Sequence, residues 1–238
     1  IMAVDLRAQR RQALLNKTQN SYEHRDDSGN FKSIFNSEAK PIWKCGEGEH
    51  LLDIIPYRVG SQDPDKNLKP GDFTYVLILW VHYGIGVNQD SYVCPAKNYG
   101  QPCSICEDRE RMRKEEGFDE DLVKSLTPKK RAIYNVIVYD NNKETEKGIQ
   151  IWDVAHWFME RLITPLAKAP ARSGKAVPFI PFSDPDEGKS IAFERKGMKA
   201  NTTFIGHRFV DRDYVIGEDI LEQAKCLDEL IVIPTSEE

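Results

Sequence analysis

One histidine and three cysteines fall within 25 residues, at His82, Cys94, Cys103 and Cys106, in the pattern H-x11-C-x8-C-x2-C. Two thiolates separated by two residues can grip one ion from a tight turn. A third thiolate and an imidazole complete a tetrahedron, the donor set of structural Zn²⁺ sites. Catalytic zinc keeps one position open for water, and four good ligands close the shell. The segment Pro102–Cys106 matches half of a nucleobase deaminase signature, P-C-x-x-C. The H-x-E half is missing, because Tyr83 and Gly84 follow His82. There is no HExxH, no complete P-loop pattern and no GxSxG. The set therefore reads as a structural Zn²⁺ lobe. The alternative is unliganded thiols packed as small core residues beside a strand histidine.

A second constellation mixes bases with aromatic rings. Lys129, Lys130 and Arg131 stand directly before a strand in which Tyr134, Val136 and Val138 share one face and Asn135, Ile137 and Tyr139 the other. Tyr75, Trp80, Tyr83, Tyr92 and Tyr99 crowd the preceding strand and the metal loop, and Arg195, Lys196, Lys199 and Arg208 bracket Phe204 and Phe209. Single-stranded nucleic acid is held by such mixtures, with bases stacked on rings and phosphates tracked by Lys and Arg. Most single aromatics, including Trp152 and Trp157, are expected in the core.

The elements that must position these groups follow from the patterning. Residues 2–17 suit a helix carrying Arg7, Arg10 and Arg11, and a polar stretch from Ser21 to Asn30 follows it as a linker. Strands are expected at His50–Tyr57, Phe73–Tyr83, Ala132–Tyr139 and Gly148–Trp152, with a hairpin of Ser190–Lys196 and Asn201–Arg212 around Gly197. Glu107–Lys124 reads as a solvated helix or two short ones split at Gly117. Asn141–Asn142 is expected to turn with positive φ. Asp153 is expected to cap a helix over Val154–Ala167, and Glu218–Leu227 to form a last helix. The fold class is mainly β with inserted helices, an OB-type five-stranded Greek-key barrel carrying a zinc lobe at about 82–127. An antiparallel α+β sheet is the alternative. Three regions are expected: a basic arm and linker (1–44), a core (45–212) and an acidic C-terminal segment (213–238).

Hydrophobic residues make up 40% of the 238, enough for a real core, and no run approaches the roughly 18 apolar residues of a membrane span. No signal peptide is expected, and three clustered cysteines among five favour a reducing, cytoplasmic compartment over a disulfide framework. The net charge of −5 argues against a polyanionic partner until its distribution is seen. From Asp211 onward there are nine acids and two bases, so residues 1–210 carry 31 bases against 29 acids. Phosphate binding needs local positive potential, not a basic whole.

In its order of motifs, from roughly His50 to Arg212, the chain resembles the single-stranded DNA-binding protein family of T-even bacteriophages. H…C…C-x2-C lies between two strands, a basic run enters an Ile-Tyr-x-Val-x-Val strand, and Gly-x-x-x-Trp and a helix follow. The metal spacing is the specific part. The resemblance implies an OB fold with a zinc lobe that coats single-stranded DNA in replication, recombination and repair. It implies His82, Cys94, Cys103 and Cys106 as Zn²⁺ ligands. It places Lys129, Lys130, Arg131 and Tyr134, with Arg58, Tyr92 and Tyr99, in the DNA cleft. It implies that Arg7, Arg10 and Arg11 drive self-association along DNA, and that the acidic C-terminus recruits replication and recombination proteins. The arm lacks the Ser/Thr residues that accompany the family's basic ones, and the acidic end is short. The rival readings are a metal-dependent nuclease and a zinc-stabilised replication or transcription adaptor.

Overall fold

Strands and helices follow along the chain in the order β1 (Gly48–Ile55), β2 (Tyr57–Arg58), β3 (Phe73–Thr74), β4 (Leu77–Ile85) and β5 (Asp90–Val93), then α1 (Pro95–Tyr99), α2 (Ser104–Met112) and α3 (Glu120–Ser125). There follow β6 (Lys129–Val138), α4 (Asn142–Thr145), β7 (Gln150–Ala155), a 3-10 turn (His156–Phe158), α5 (Glu160–Ala167), β8 (Lys189–Lys196), β9 (Thr203–Asp211) and α6 (Glu218–Leu221). The computed structural model describes residues 33–168 and 179–234, so the arm residues Arg7, Arg10 and Arg11 and the terminal acids Glu237–Glu238 lie outside the described residues.

The protein is mainly β. Seven strands form one antiparallel sheet in the order β5-β4-β6-β1-β8-β9, with β7 joined to β6, and β2–β3 is a separate hairpin. The organising strand is β6. Its first half pairs with β4, from Val81↔Lys129 to Leu77↔Ile133, and its second half with β1, from Ile55↔Asn135 to Leu52↔Val138. The strand β7 spans both halves, from Arg131↔Ala155 to Val136↔Gln150, so β4 and β1 must share the opposite edge.

The sheet curls tightly. In the order β7-β6-β1-β8 the outer strands are three spacings apart, which in a flat sheet is about 14 Å. Yet Trp152 on β7 stacks on Phe193 of β8 with ring centroids 5.5 Å apart and planes 5° from parallel. The concave face holds a core of Leu52, Ile54, Tyr134, Val136, Trp152, Ile191 and Phe193, closed by Met159 and Ile163. The outer face of β4 and β6 buries Leu77, Leu79, Val81 and Ile133 under Ile34, Leu227, Leu230 and Ile231.

That second core revises the expected boundaries. Residues 33–44 belong to the body, since Ile34 and Trp43 are buried and Ile42 bridges Ile151. The acidic C-terminal segment, as far as it is described, is also a packed strap. Buried Asp228 accepts from the backbone of Gly60 and Gln62 at 2.9 and 2.8 Å, and Phe35 bridges Ile231. Apolar residues spaced through both ends pull them onto a face that β4 and β6 would otherwise expose.

Several local expectations change for physical reasons. Asp153 is not a helix cap; it lies on β7 and accepts from Arg131 Nε at 2.8 Å across the ladder. Val154 is buried in the concave core, so the strand runs on to Ala155 before the chain turns. Asn141 is extended and caps the one-turn α4 by accepting from the Glu144 amide, while Gly148 takes the positive φ of 65°. The last helix stops at Leu221, and Gly117 with φ 76° separates α2 from α3. Among the described residues no helix is long and apolar enough to cross a membrane.

Candidate metal centre and basic groove

Three elements, β4, α1 and α2, bring the four candidate ligands together. His82 is a fully buried residue of β4; Cys94 and Cys103 are the N-cap residues of α1 and α2; and Cys106 lies in the first turn of α2. Their ligand atoms all lie within 4.8 Å of one another. His82 Nε2 is 3.5 Å from Cys103 Sγ and 3.6 Å from Cys106 Sγ; Cys94 Sγ is 3.9 and 3.6 Å from the same sulfurs. The four side chains can hold a metal ion.

The surroundings suit that role. His82 Nδ1 donates to the Leu126 carbonyl at 2.8 Å, which fixes the ring and leaves the Nε2 lone pair facing the sulfurs. Burial holds the imidazole pKa below its usual value, keeping it neutral. Burial and the neighbouring thiols push the Cys106 thiol up to about 12, so a proton occupies this sulfur unless a cation replaces it. The Lys97 amide donates to Cys94 Sγ at 3.4 Å. Buried Asn98 locks α1 to β4: its amide accepts from Trp80 N at 2.9 Å and donates to the carbonyls of Trp80 and Cys94, both at 2.8 Å. The helices themselves bury little. Val123 is the one buried residue of α3, Asn98 that of α1, and α2 has none beyond its cap, Cys103.

A groove of about 600 Å³ runs along the open edge of β7. Lys44, Arg131 and Arg195 line it together with Trp43, Phe158 and Phe204. The main chain of Trp43 pairs with Ile151, and beyond that point the β7 edge is free of the 41–43 segment. Phe158 and Phe204 stack with centroids 5.0 Å apart. The Arg131 guanidinium lies over the Tyr83 ring at 5.5 Å and stays charged, because Asp153 and Tyr83 outweigh the cost of its burial.

The expected cleft residues do not all meet there. Arg131 lines the groove, with Lys129 and Lys130 exposed beside it at the start of β6. Tyr134 is displaced from the expected cleft: it is fully buried against Trp152, and its hydroxyl donates to Glu160 at 2.6 Å, so no base can reach it. Arg58 sits over the Phe73 ring at 4.2 Å, in a different cavity that also contains Glu218 and Glu222. Tyr92 is half-buried on β5, with its hydroxyl 3.2 Å from Asp90. Tyr99 is half-buried and donates to the Gln62 carbonyl at 3.1 Å. Burial lifts its phenol to about 12.

Other residues were missed. Trp157, expected in the core, is 59% exposed. Lys44 and Trp43 reach the groove from a segment read as linker, although the Pro-Ile-Trp-Lys sequence from Pro41 mixes ring and base as a binding surface does. No signal in the local sequence marks Leu126 as the histidine's partner. Neither protein-family models nor curated sequences provide a match for this chain.

Proposed function

We propose that the protein binds single-stranded DNA non-enzymatically, and that the Cys3His cluster holds a structural Zn²⁺ bracing the sheet edge where β6 begins. The observation that carries this reading is the groove along β7, where Lys44, Arg131 and Arg195 share one lining with the Phe158–Phe204 stack and with Asp153, the partner of Arg131. Phosphates follow such bases, while unpaired bases, unlike those in a duplex, can slide onto rings. The tight curl of the sheet supports an OB-type barrel as the scaffold, a fold whose strands and loops suit oligonucleotides. For tetrahedral zinc, metal–ligand lengths of about 2.3 Å to sulfur and 2.0–2.1 Å to nitrogen set S···S edges near 3.8 Å and N···S edges near 3.6 Å. Four of the six edges, two S···S at 3.6 and 3.9 Å and two N···S at 3.5 and 3.6 Å, lie close to those lengths, and all four ligand atoms fall within 4.8 Å of one another. The ion ties β4 to α1 and α2, and Val81 of β4 pairs with Lys129, so it steadies the strand that delivers Lys130 and Arg131. Self-association through Arg7, Arg10 and Arg11 along a coated strand, and recruitment of replication and recombination proteins by exposed acids of the C-terminal strap, extend the same proposal.

Fluorescence anisotropy with labelled oligo-dT tests it. Binding is expected to weaken with salt, with a log–log slope of about −0.7 per phosphate neutralised. Lys44→Glu and Arg195→Glu are each expected to lower affinity. No binding, or binding indifferent to salt and to both substitutions, refutes the groove. Oligo-U run alongside separates DNA from RNA, and degradation of the probe in Mg²⁺ would favour the nuclease reading instead.

A further inference from the structure

The row of rings continues beyond the groove, with a tilt of 50° between Phe158 and Trp157. Phe204 and Phe158 lie 5.0 Å apart, and Trp157, next in the chain, follows at 5.9 Å from Phe158 on the 3-10 turn that ends β7. Trp43 and Trp152 are 6% and 2% exposed, whereas Trp157 is 59% exposed. The Arg161 guanidinium lies 5.6 Å over this indole, which still keeps more than half of its surface exposed. The β6–β7 ladder ends at Arg131↔Ala155, just before this turn, and Lys130 and Arg161 both act electrostatically on the His156 imidazole at its start.

We propose that this turn is a nucleotide subsite where the bound strand leaves the groove: one base stacks on Trp157, and the adjoining phosphate sits among Lys130, His156 and Arg161. The inference rests on the single-stranded DNA reading above and gives the strand a second point of contact. The charges around the site suit an anion. Burial first, then Lys130 and Arg161, hold His156 below its usual pKa, so it stands neutral beside two cations. The nearest acids are committed elsewhere. Glu160 accepts from the hydroxyls of Tyr75 and Tyr134 at 2.7 and 2.6 Å, and Asp153 is paired with Arg131. On β9, His207 bonds the Phe158 backbone and supports the turn from behind. A phosphate arriving here supplies the missing negative charge and draws a proton onto His156, so binding tightens as pH falls through the histidine range.

The test follows oligo-dT binding by anisotropy together with the His156 ring resonances by NMR. In the full chain, Trp157→Ala and Arg161→Gln are expected to lower affinity about ten-fold or more, as loss of a stacked base does. Oligo-dT is expected to raise the His156 pKa, and His156→Gln to flatten the pH dependence of binding. Full affinity in both variants, with an unmoved His156, overturns the subsite while leaving the groove intact. If the wild-type protein fails to bind oligo-dT, the groove reading falls separately. The turn is then judged with thymidine monophosphate: a shifted His156 resonance upholds it as a nucleotide site, and an unmoved one overturns it.

Discussion

Removing the proposed Zn²⁺ should unfold one region of this protein and spare the rest. The lobe from Cys94 to Leu126 has almost no apolar core of its own. Beyond the cysteines and Asn98, its helices bury Val123, and full burial of a valine contributes only about 1.5–3 kcal/mol. Ordering roughly 30 residues of backbone costs on the order of 1 kcal/mol each. Three short helices cannot offset that cost by themselves, whereas the binding of a structural Zn²⁺ contributes directly to folding. The sheet has its own support, since both its faces are packed and the clusters around Trp152 and Leu79 draw almost nothing from the lobe. The assay is hydrogen exchange read by mass spectrometry before and after exhaustive chelation, with elemental analysis confirming metal loss. Peptides spanning 94–126 should lose protection by orders of magnitude, while those of β8 and β9 stay protected. Cys103→Ser should reproduce the pattern, and oligo-dT affinity should fall in both cases. Undiminished protection of 94–126 in verified metal-free protein would refute the reasoning, because the lobe would then be held by something other than the ion.

Three further outcomes follow from individual side chains. Both ring nitrogens of His50 have acceptors, Asp140 at 2.6 Å and the Gly46 carbonyl at 3.0 Å. Burial alone would depress its pKa, but Asp140, Cys45 and Gly46 outweigh it and raise the value to about 10. A raised pKa stabilises the fold fully below the unfolded value near 6.5 and loses that contribution as pH rises towards 10. The melting temperature should therefore decline across that window, and Asp140→Asn should flatten the decline and cost about 2 kcal/mol by denaturant titration. Asn98→Ala removes two hydrogen bonds between α1 and β4 and a third to the Cys94 cap, so a loss of about 2–3 kcal/mol and faster exchange of α1 amides are expected; unchanged exchange would mean that other contacts hold α1. Tyr134→Phe should lower stability by about 1–2 kcal/mol through the lost bond to Glu160, yet leave oligo-dT affinity unchanged; a marked loss of affinity at unchanged stability would return this tyrosine to the cleft.

The ligand set and the strands were legible because each depends on neighbours close in the chain. Four ligands within 25 residues need only short loops to converge, and alternation of apolar residues marks a strand wherever one face is buried. Even so, Tyr134 and Trp157 exchanged the places expected of them. Tyr134 follows the basic cluster closely and resembles a cleft tyrosine, but its face of β6 is the concave one, roofed by Met159 and Ile163. Trp157 lies five residues after the core residue Trp152, where a helix would have hidden it; the strand instead runs to Ala155 and turns the indole outward.

By itself, then, the amino-acid sequence determined the candidate ligand cluster, the positions of most strands and the mixture of rings and bases. Those are properties of composition and short-range spacing. Only the tertiary structure decided which rings are exposed, which bases share a groove and that both described ends of the chain belong to the body. The reason is that exposure is a non-local quantity. Whether Tyr134 or Trp157 meets solvent depends on how sharply the sheet curls and on which distant segments, such as Ile34 and Leu227–Ile231, are drawn over its outer face.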